Sequence, residues 1–222
     1  MKSGRYRFDL LCRHSNELSL SARQLFKQEF VGVKSGFDFL DQHFGRLESQ
    51  PISHIRNVKM ALTARFTNHL FSYVLLVERG LLLDAANCVR SATETLAFYW
   101  LVCKDSSTAV LYDAQESPRP VEIRKRLEIL AVDVKELRDQ YSFESAVAHV
   151  GNKYDNLQID WEHEKTGKLL IGGGGNVNLR REMLRSVGRY IALFAKHDSS
   201  YIVSVDERSY SVKSKIDGEA VS

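Results

Sequence analysis

Apolar positions recur at three- and four-residue intervals along most of this chain, the spacing of a buried helical face. Leu18, Ala22, Leu25 and Phe26 share one side of a first helix over about 16–30. Phe37, Leu40, Phe44 and Leu47 mark a second over about 36–47, and Pro51 ends that helical hairpin. Ile55, Leu62, Phe66, His69, Tyr73 and Val77 carry the stripe along a third, longer helix, with Ser53 placed to cap its start and Gly80 its end. Asp84 is placed to cap a fourth helix, where Val89, Ala92, Leu96, Tyr99 and Cys103 recur at heptad-like spacing. Leu96–Cys103 is apolar on every side, which predicts burial all round. Only Gly80–Leu83 joins these two long helices, so they should pack antiparallel at the centre of a bundle.

Beyond Asp105 the pattern weakens, with one short helix expected near 108–115. Pro120 starts a fifth helix whose stripe is Ile123, Leu127, Leu130, Val134, Leu137 and Tyr141. Asp133-Val134-Lys135-Glu136 also fits a capping box, which would split it in two. Ser142 can cap a short helix ending near Val150. Leu157-Gln158-Ile159-Asp160-Trp161 then alternates apolar and polar, and with Leu169-Leu170-Ile171 it predicts a small β-hairpin over 157–171. Gly172–Gly175 reads as a hinge before a last helix ending near His197. After Ser204 the chain is polar and aperiodic, so 205–222 is expected to be a disordered tail on a single helical domain of residues 1–204. The fold class is therefore all-α, a multi-helix bundle with one small hairpin.

Composition adds limits rather than a function. The chain has 222 residues, 44% hydrophobic and 27% charged, which suits one soluble core. A net charge of +3 and the single basic run Arg124-Lys125-Arg126 permit an RNA partner without indicating one. Cys88 and Cys103 lie on one helix about 22 Å apart at about 1.5 Å per residue, too far for a disulfide. With three cysteines and no Cys-x-x-Cys spacing, zinc is not expected and a reducing, cytoplasmic setting is. The start of the chain lacks the apolar core of a signal peptide, and no apolar run reaches membrane-spanning length.

Two polar pairs interrupt the apolar helices. Arg90 and Glu94 are one turn apart, and Ser145 and His149 are likewise one turn apart. For the first pair, a site in which Glu94 aims Arg90 at a phosphate competes with a structural salt bridge. For the second, a general acid–base histidine competes with a hydrogen-bonded histidine at a helix end. Each pair needs partners the other can supply, so all four are expected to converge in one polar pocket. His69 falls on the apolar stripe and is expected to be a satisfied core histidine. Gly172–Gly175 lacks the Gly-Lys-Ser/Thr ending of a phosphate loop.

A long helix ending in Gly80 is followed by Arg90-Ser91-Ala92-Thr93-Glu94 and a run of aromatic and aliphatic residues. Tyr141 and Ser145-x-x-x-His149 come next, then a hairpin and a last helix. Over about 55–198 this order resembles the uncharacterised bacterial helical families allied to HEPN domains (higher eukaryotes and prokaryotes nucleotide-binding). The resemblance implies a bundle that often dimerises, without metal or cofactor. Many such proteins are metal-independent RNases of toxin–antitoxin and phage-defence systems, with an Arg-x4–6-His motif shared across a dimer. This chain departs from that motif, because the last arginine before His149 is Arg138, eleven residues upstream. Arg90 is the arginine left to supply the charge, from another helix. The expectation is an RNA-directed effector with catalytic Arg90, Glu94, Ser145 and His149, a homodimer that meets RNA or an antitoxin protein. The alternative is a non-catalytic helical interaction or dimerisation module.

Overall fold

A computed structural model describes residues 8–114, 118–139, 159–160, 168–169, 177–206, 209–215 and 220–221. Helix α1 (Phe8–Leu25) runs almost directly into α2 (Lys27–Glu48), with Phe26 as a non-helical joint at φ −112° and ψ 36°. The break therefore falls at Phe26 rather than near residue 30. Phe26 is fully buried, and the guanidinium groups of Arg180 and Arg181 lie 5.5 and 5.6 Å from its ring centre. Helix α2 continues unbroken through Gly32 and Gly36, well upstream of the expected start. Gly36 has a packing reason: a Cβ there would stand 3.0 Å from Ile191 Cγ1 on the last helix. That close approach rotates α2, so its buried face is Val33, Gly36, Phe39, Leu40, His43 and Leu47. Phe37 and Phe44, expected in the core, are half-buried.

Helix α3 (His54–Glu78) begins as its sequence implies, with Ser53 Oγ accepting the Arg56 N–H at 3.2 Å. The Arg56 guanidinium also donates to the carbonyls of Leu47 and Glu48, closing the last turn of α2. At the other end Gly80 takes φ 72°, which a side chain would resist. The Leu81 N–H then reaches Leu76 O at 2.8 Å and the Gly80 N–H reaches Val77 O at 3.0 Å, the paired bonds of a Schellman ending. The chain turns at once into α4 (Leu82–Lys104), which packs closely on α3. Asp84 does not cap α4 but sits in its first turn, where its charge suits the helix dipole. Every residue from Thr95 to Val102 is buried, as the all-round apolar run predicts, while Cys103 is half-buried.

A 3-10 helix (Ser106–Tyr112) follows, and α5 (Pro120–Ile129) opens with Pro at its first position. The chain does break after α5: Ala131 takes φ 55°, and Asp133 Oδ1 accepts the Lys135 N–H at 2.9 Å before a helical stretch over 135–139. Two short strands, β1 (Ile159–Asp160) and β2 (Lys168–Leu169), pair antiparallel within the expected hairpin region. Helix α6 (Val177–Ala195) packs against α2, α3 and α4. Tyr73 donates to Met183 O at 2.8 Å, Trp100 Nε1 donates to Leu193 O at 2.8 Å, and Phe194 stacks on Phe66 and Tyr99.

The polar stretch after Ser204 is not an aperiodic tail. Strands β3 (Tyr201–Asp206) and β4 (Ser209–Ser214) pair antiparallel, Tyr201 opposite Ser214 and Asp206 opposite Ser209. A short β5 (Ala220–Val221) adds to β4. Tyr201, Val212 and Ser214 are buried while Ile202 and Lys213 face out, so the alternation is real but carried by few apolar residues. The sheet packs on α6.

Two buried charges lock the helices. Glu78, at the end of α3, accepts from Ser19 at 2.5 Å and from Arg23, both on α1. Arg180 on α6 donates to the carbonyls of Val77 at 3.1 Å and Glu78 at 2.6 Å, covering the C-terminal carbonyls of α3. Burial lowers the Arg180 pKa and Glu78 opposes that shift.

Candidate functional site

Arg90 and Glu94 project from α4 just before its fully buried segment. Arg90 Nε donates to Glu94 Oε1 at 3.3 Å, and the two side chains are 28% and 32% exposed. The pair is neither sealed in the core nor free on the surface. Ser145 and His149 lie outside the described residues, as does Gly172–Gly175, so the structure places two of the four expected site residues.

His69 lies within electrostatic reach of Glu94, across the α3–α4 contact. It is not the satisfied core histidine that its stripe position suggests. Its ring is half-buried, and Nε2 is shielded from solvent with no hydrogen-bond partner among the described residues. Burial lowers its pKa, Arg65 one turn earlier on α3 lowers it further, and Glu94 opposes them. The imidazole is therefore favoured in its neutral form between the Arg65 guanidinium and the Glu94 carboxylate. The sequence signal was present in Arg65 and His69 at i,i+4, but the apolar positions around His69 masked it.

A second polar cluster is deeper and was not foreseen. His43 of α2 is buried between two tyrosines: Nδ1 lies 2.6 Å from the Tyr201 hydroxyl and Nε2 lies 2.9 Å from the Tyr99 hydroxyl. Tyr99 donates in turn to Asp198 Oδ2 at 2.5 Å. The Ser200 N–H donates to Asp198 Oδ1 at 2.9 Å, and Cys103 Sγ donates to Oδ2 at 4.0 Å. Burial alone would raise the Asp198 carboxyl, yet Tyr99, Ser200 and Lys59 outweigh it and hold the group below its usual 3.8. Asp198 is thus an ionised acceptor. Tyr99 has one proton, which goes to Asp198, so its oxygen must accept from His43 Nε2–H. That leaves Nδ1 as the acceptor for Tyr201. The protons all point one way, from Tyr201 through His43 and Tyr99 to Asp198.

No family model, curated protein or solved structure matches this chain. The chemistry available is therefore read from the side chains. The inner chain is closed: burial lowers His43 to about 4 against the pull of Asp198, with Lys59 and Arg46 assisting. Burial also pushes the Cys103 thiol up to about 11 and Tyr99 well above its usual 10. None of these groups is poised to exchange protons with a ligand near neutral pH. The outer cluster sets the Arg90–Glu94 ion pair on α4 against His69 and Arg65 on α3, with Glu94 in electrostatic reach of the imidazole. Among the described residues, no three His, Cys, Asp or Glu side chains group to hold a metal, and no helix is long and apolar enough to cross a membrane.

Proposed function

We propose that this chain is a HEPN-like effector that acts on RNA without a metal, in a bacterial toxin–antitoxin or phage-defence setting. The observation that carries the reading is the partly exposed Arg90–Glu94 pair, with Glu94 in electrostatic reach of a His69 nitrogen that has no hydrogen-bond partner among the described residues. Arg90 would take the charge building on a phosphodiester, and Glu94 would orient it. His149, oriented by Ser145, would move the proton. The unpaired thiols of Cys12, Cys88 and Cys103 support a reducing, cytoplasmic setting.

The test is cleavage of single-stranded RNA by the purified chain in EDTA. His149→Ala and Arg90→Ala should each lower the rate at least about 100-fold, the usual contribution of a general acid or base. Thermal melts of both variants are run alongside, so that a lost rate is read on folded protein. Wild-type rates in both variants would reject the site.

A second reading, a non-catalytic module that binds a partner protein or its own copy, has one observation in its favour. Phe71 is 52% exposed and meets Phe37 edge-on at 6.0 Å, an aromatic pair partly open to solvent. Light scattering decides its homodimeric form: a mass near twice 25.3 kDa supports it, and 25.3 kDa at micromolar concentration rejects it.

A further inference from the structure

Three neighbouring rows run along α2, each stepping by seven residues. Val33, Leu40 and Leu47 form the buried row. Phe30, Phe37 and Phe44 form the next, and each is half-buried. Lys27, Lys34, Asp41 and Glu48 form the third, one turn from the phenylalanines, and all four are exposed. This charged row takes in the first and last residues of the helix and spans about 32 Å at about 1.5 Å per residue. Its signs run plus, plus, minus, minus. The helix dipole favours the opposite order, acids at the start and lysines at the end. Lys34 has a partner on its own helix, Asp38 Oδ2 at 2.6 Å. Among the described residues, no ion pair within the chain uses Lys27, Asp41 or Glu48.

We infer that this face of α2 docks a second copy of the chain, the two α2 helices lying antiparallel about a two-fold axis at Phe37. This rests on the self-association reading above and deepens it by naming the surface. Two antiparallel helices keep like rows on the same side, so charged row faces charged row. Reversal about Phe37 sets Phe30 opposite the partner's Phe44 and Phe37 opposite the partner's Phe37. It also sets Lys27 against the partner's Glu48 and Lys34 against the partner's Asp41, and the symmetry makes each pair twice. A parallel arrangement would set lysine on lysine and acid on acid. An unrelated partner would require no such self-complementary order. From α3, Phe71 is 52% exposed and meets Phe37 edge-on at 6.0 Å, which brings this aromatic contact to the axis. A seven-residue row drifts by about 20° per step on a straight helix, and a left-handed crossing of the two helices takes up that drift.

Two variants follow from the charge order. Lys27→Glu with Lys34→Glu makes the row acidic throughout, so all four facing pairs become like-charged. With each pair at the strength of an exposed helical ion pair, the dimer should weaken by at least about 15-fold. A fourfold exchange, Lys27→Glu, Lys34→Glu, Asp41→Lys and Glu48→Lys, restores complementarity with the signs reversed. It also gives α2 the charge order its dipole favours. The exchanged chain should therefore pair with itself and refuse the wild-type chain, because every contact across the mixed pair is like-charged.

Light scattering of the full chain, with capture on a tagged copy after mixing, tests the surface. The wild-type chain should give a mass near twice 25.3 kDa at micromolar concentration. Tagged wild-type chain should retain untagged wild-type chain, and the tagged exchanged chain should retain its own kind but at least about 15-fold less wild-type chain. A wild-type mass of 25.3 kDa overturns this inference together with the self-association reading. A wild-type dimer that mixes freely with the exchanged chain overturns the α2 surface and leaves self-association standing. An all-acidic chain that dimerises as strongly as the wild type, or a folded exchanged chain that stays monomeric, does the same. Circular dichroism checks the fold of each variant, and either variant alone decides the outcome if the other does not fold.

Discussion

Replacing Tyr99 with Phe removes a single oxygen from a fully buried ring and leaves the stacking on Phe194 in place. Two groups then lose their partner. His43 Nε2–H no longer has an acceptor, and Asp198 Oδ2 loses its shortest donor. A buried neutral donor left unmade costs about 1–3 kcal/mol, and a hydrogen bond to a charged acceptor is worth about 1.5–3 kcal/mol. The expected loss is about 3–5 kcal/mol, a large part of a stability of about 5–15 kcal/mol. Tyr201→Phe strips the donor from His43 Nδ1 and should cost about 1 kcal/mol, since a bare ring nitrogen is a less demanding orphan. Urea titrations of both variants give the comparison, read as midpoint shifts at constant slope. A Tyr99→Phe loss below about 1 kcal/mol, or one no larger than that of Tyr201→Phe, would refute the one-way proton order that ends on Asp198.

The glycines of α2 give opposite expectations on one helix. Gly36→Leu should destabilise by about 1–3 kcal/mol, because even a Cβ there meets Ile191 at 3.0 Å. Gly45→Ala, with nothing within 4 Å of the new methyl, should stabilise by about 0.5–1 kcal/mol; thermal melts of the pair check the signs. Leu96→Ala should cost about 2–5 kcal/mol by denaturant titration, because the residue is fully buried in α4.

The central helices were legible because their signals are local and agree with one another. Ser53, Gly80 and the all-round apolar run before Cys103 each specify one feature, and the structure has all three. The α1–α2 joint was harder: Phe26 falls inside one apolar stripe that reads as a continuous helix, and the approach of Ile191 to Gly36 is a contact between distant segments that no local pattern announces. The strands after Ser204 carry too few apolar residues to announce a period of two. At the outer cluster, Arg90 and Glu94 stood out because charge is conspicuous on an apolar helix. The inner chain did not stand out, since its four members are spread from residue 43 to residue 201 and each looks ordinary alone. His43 did leave a trace, in the 36, 40, 43, 47 spacing of the buried face of α2. Asp198 and Tyr201 become meaningful only when α6 returns the chain to α2 and α4.

The most direct test of the functional account is a matched pair of substrates, one single-stranded RNA and one DNA of the same sequence, each incubated with the purified chain in excess EDTA. Without a metal to activate water, the nucleophile at hand is the 2′-hydroxyl beside the scissile phosphate, which DNA lacks. The account predicts that RNA is cut and DNA is not, and that Arg90→Ala abolishes the cutting at a temperature where the variant is folded. Intact RNA, cleavage that requires added metal, or equal cleavage of both strands would contradict it.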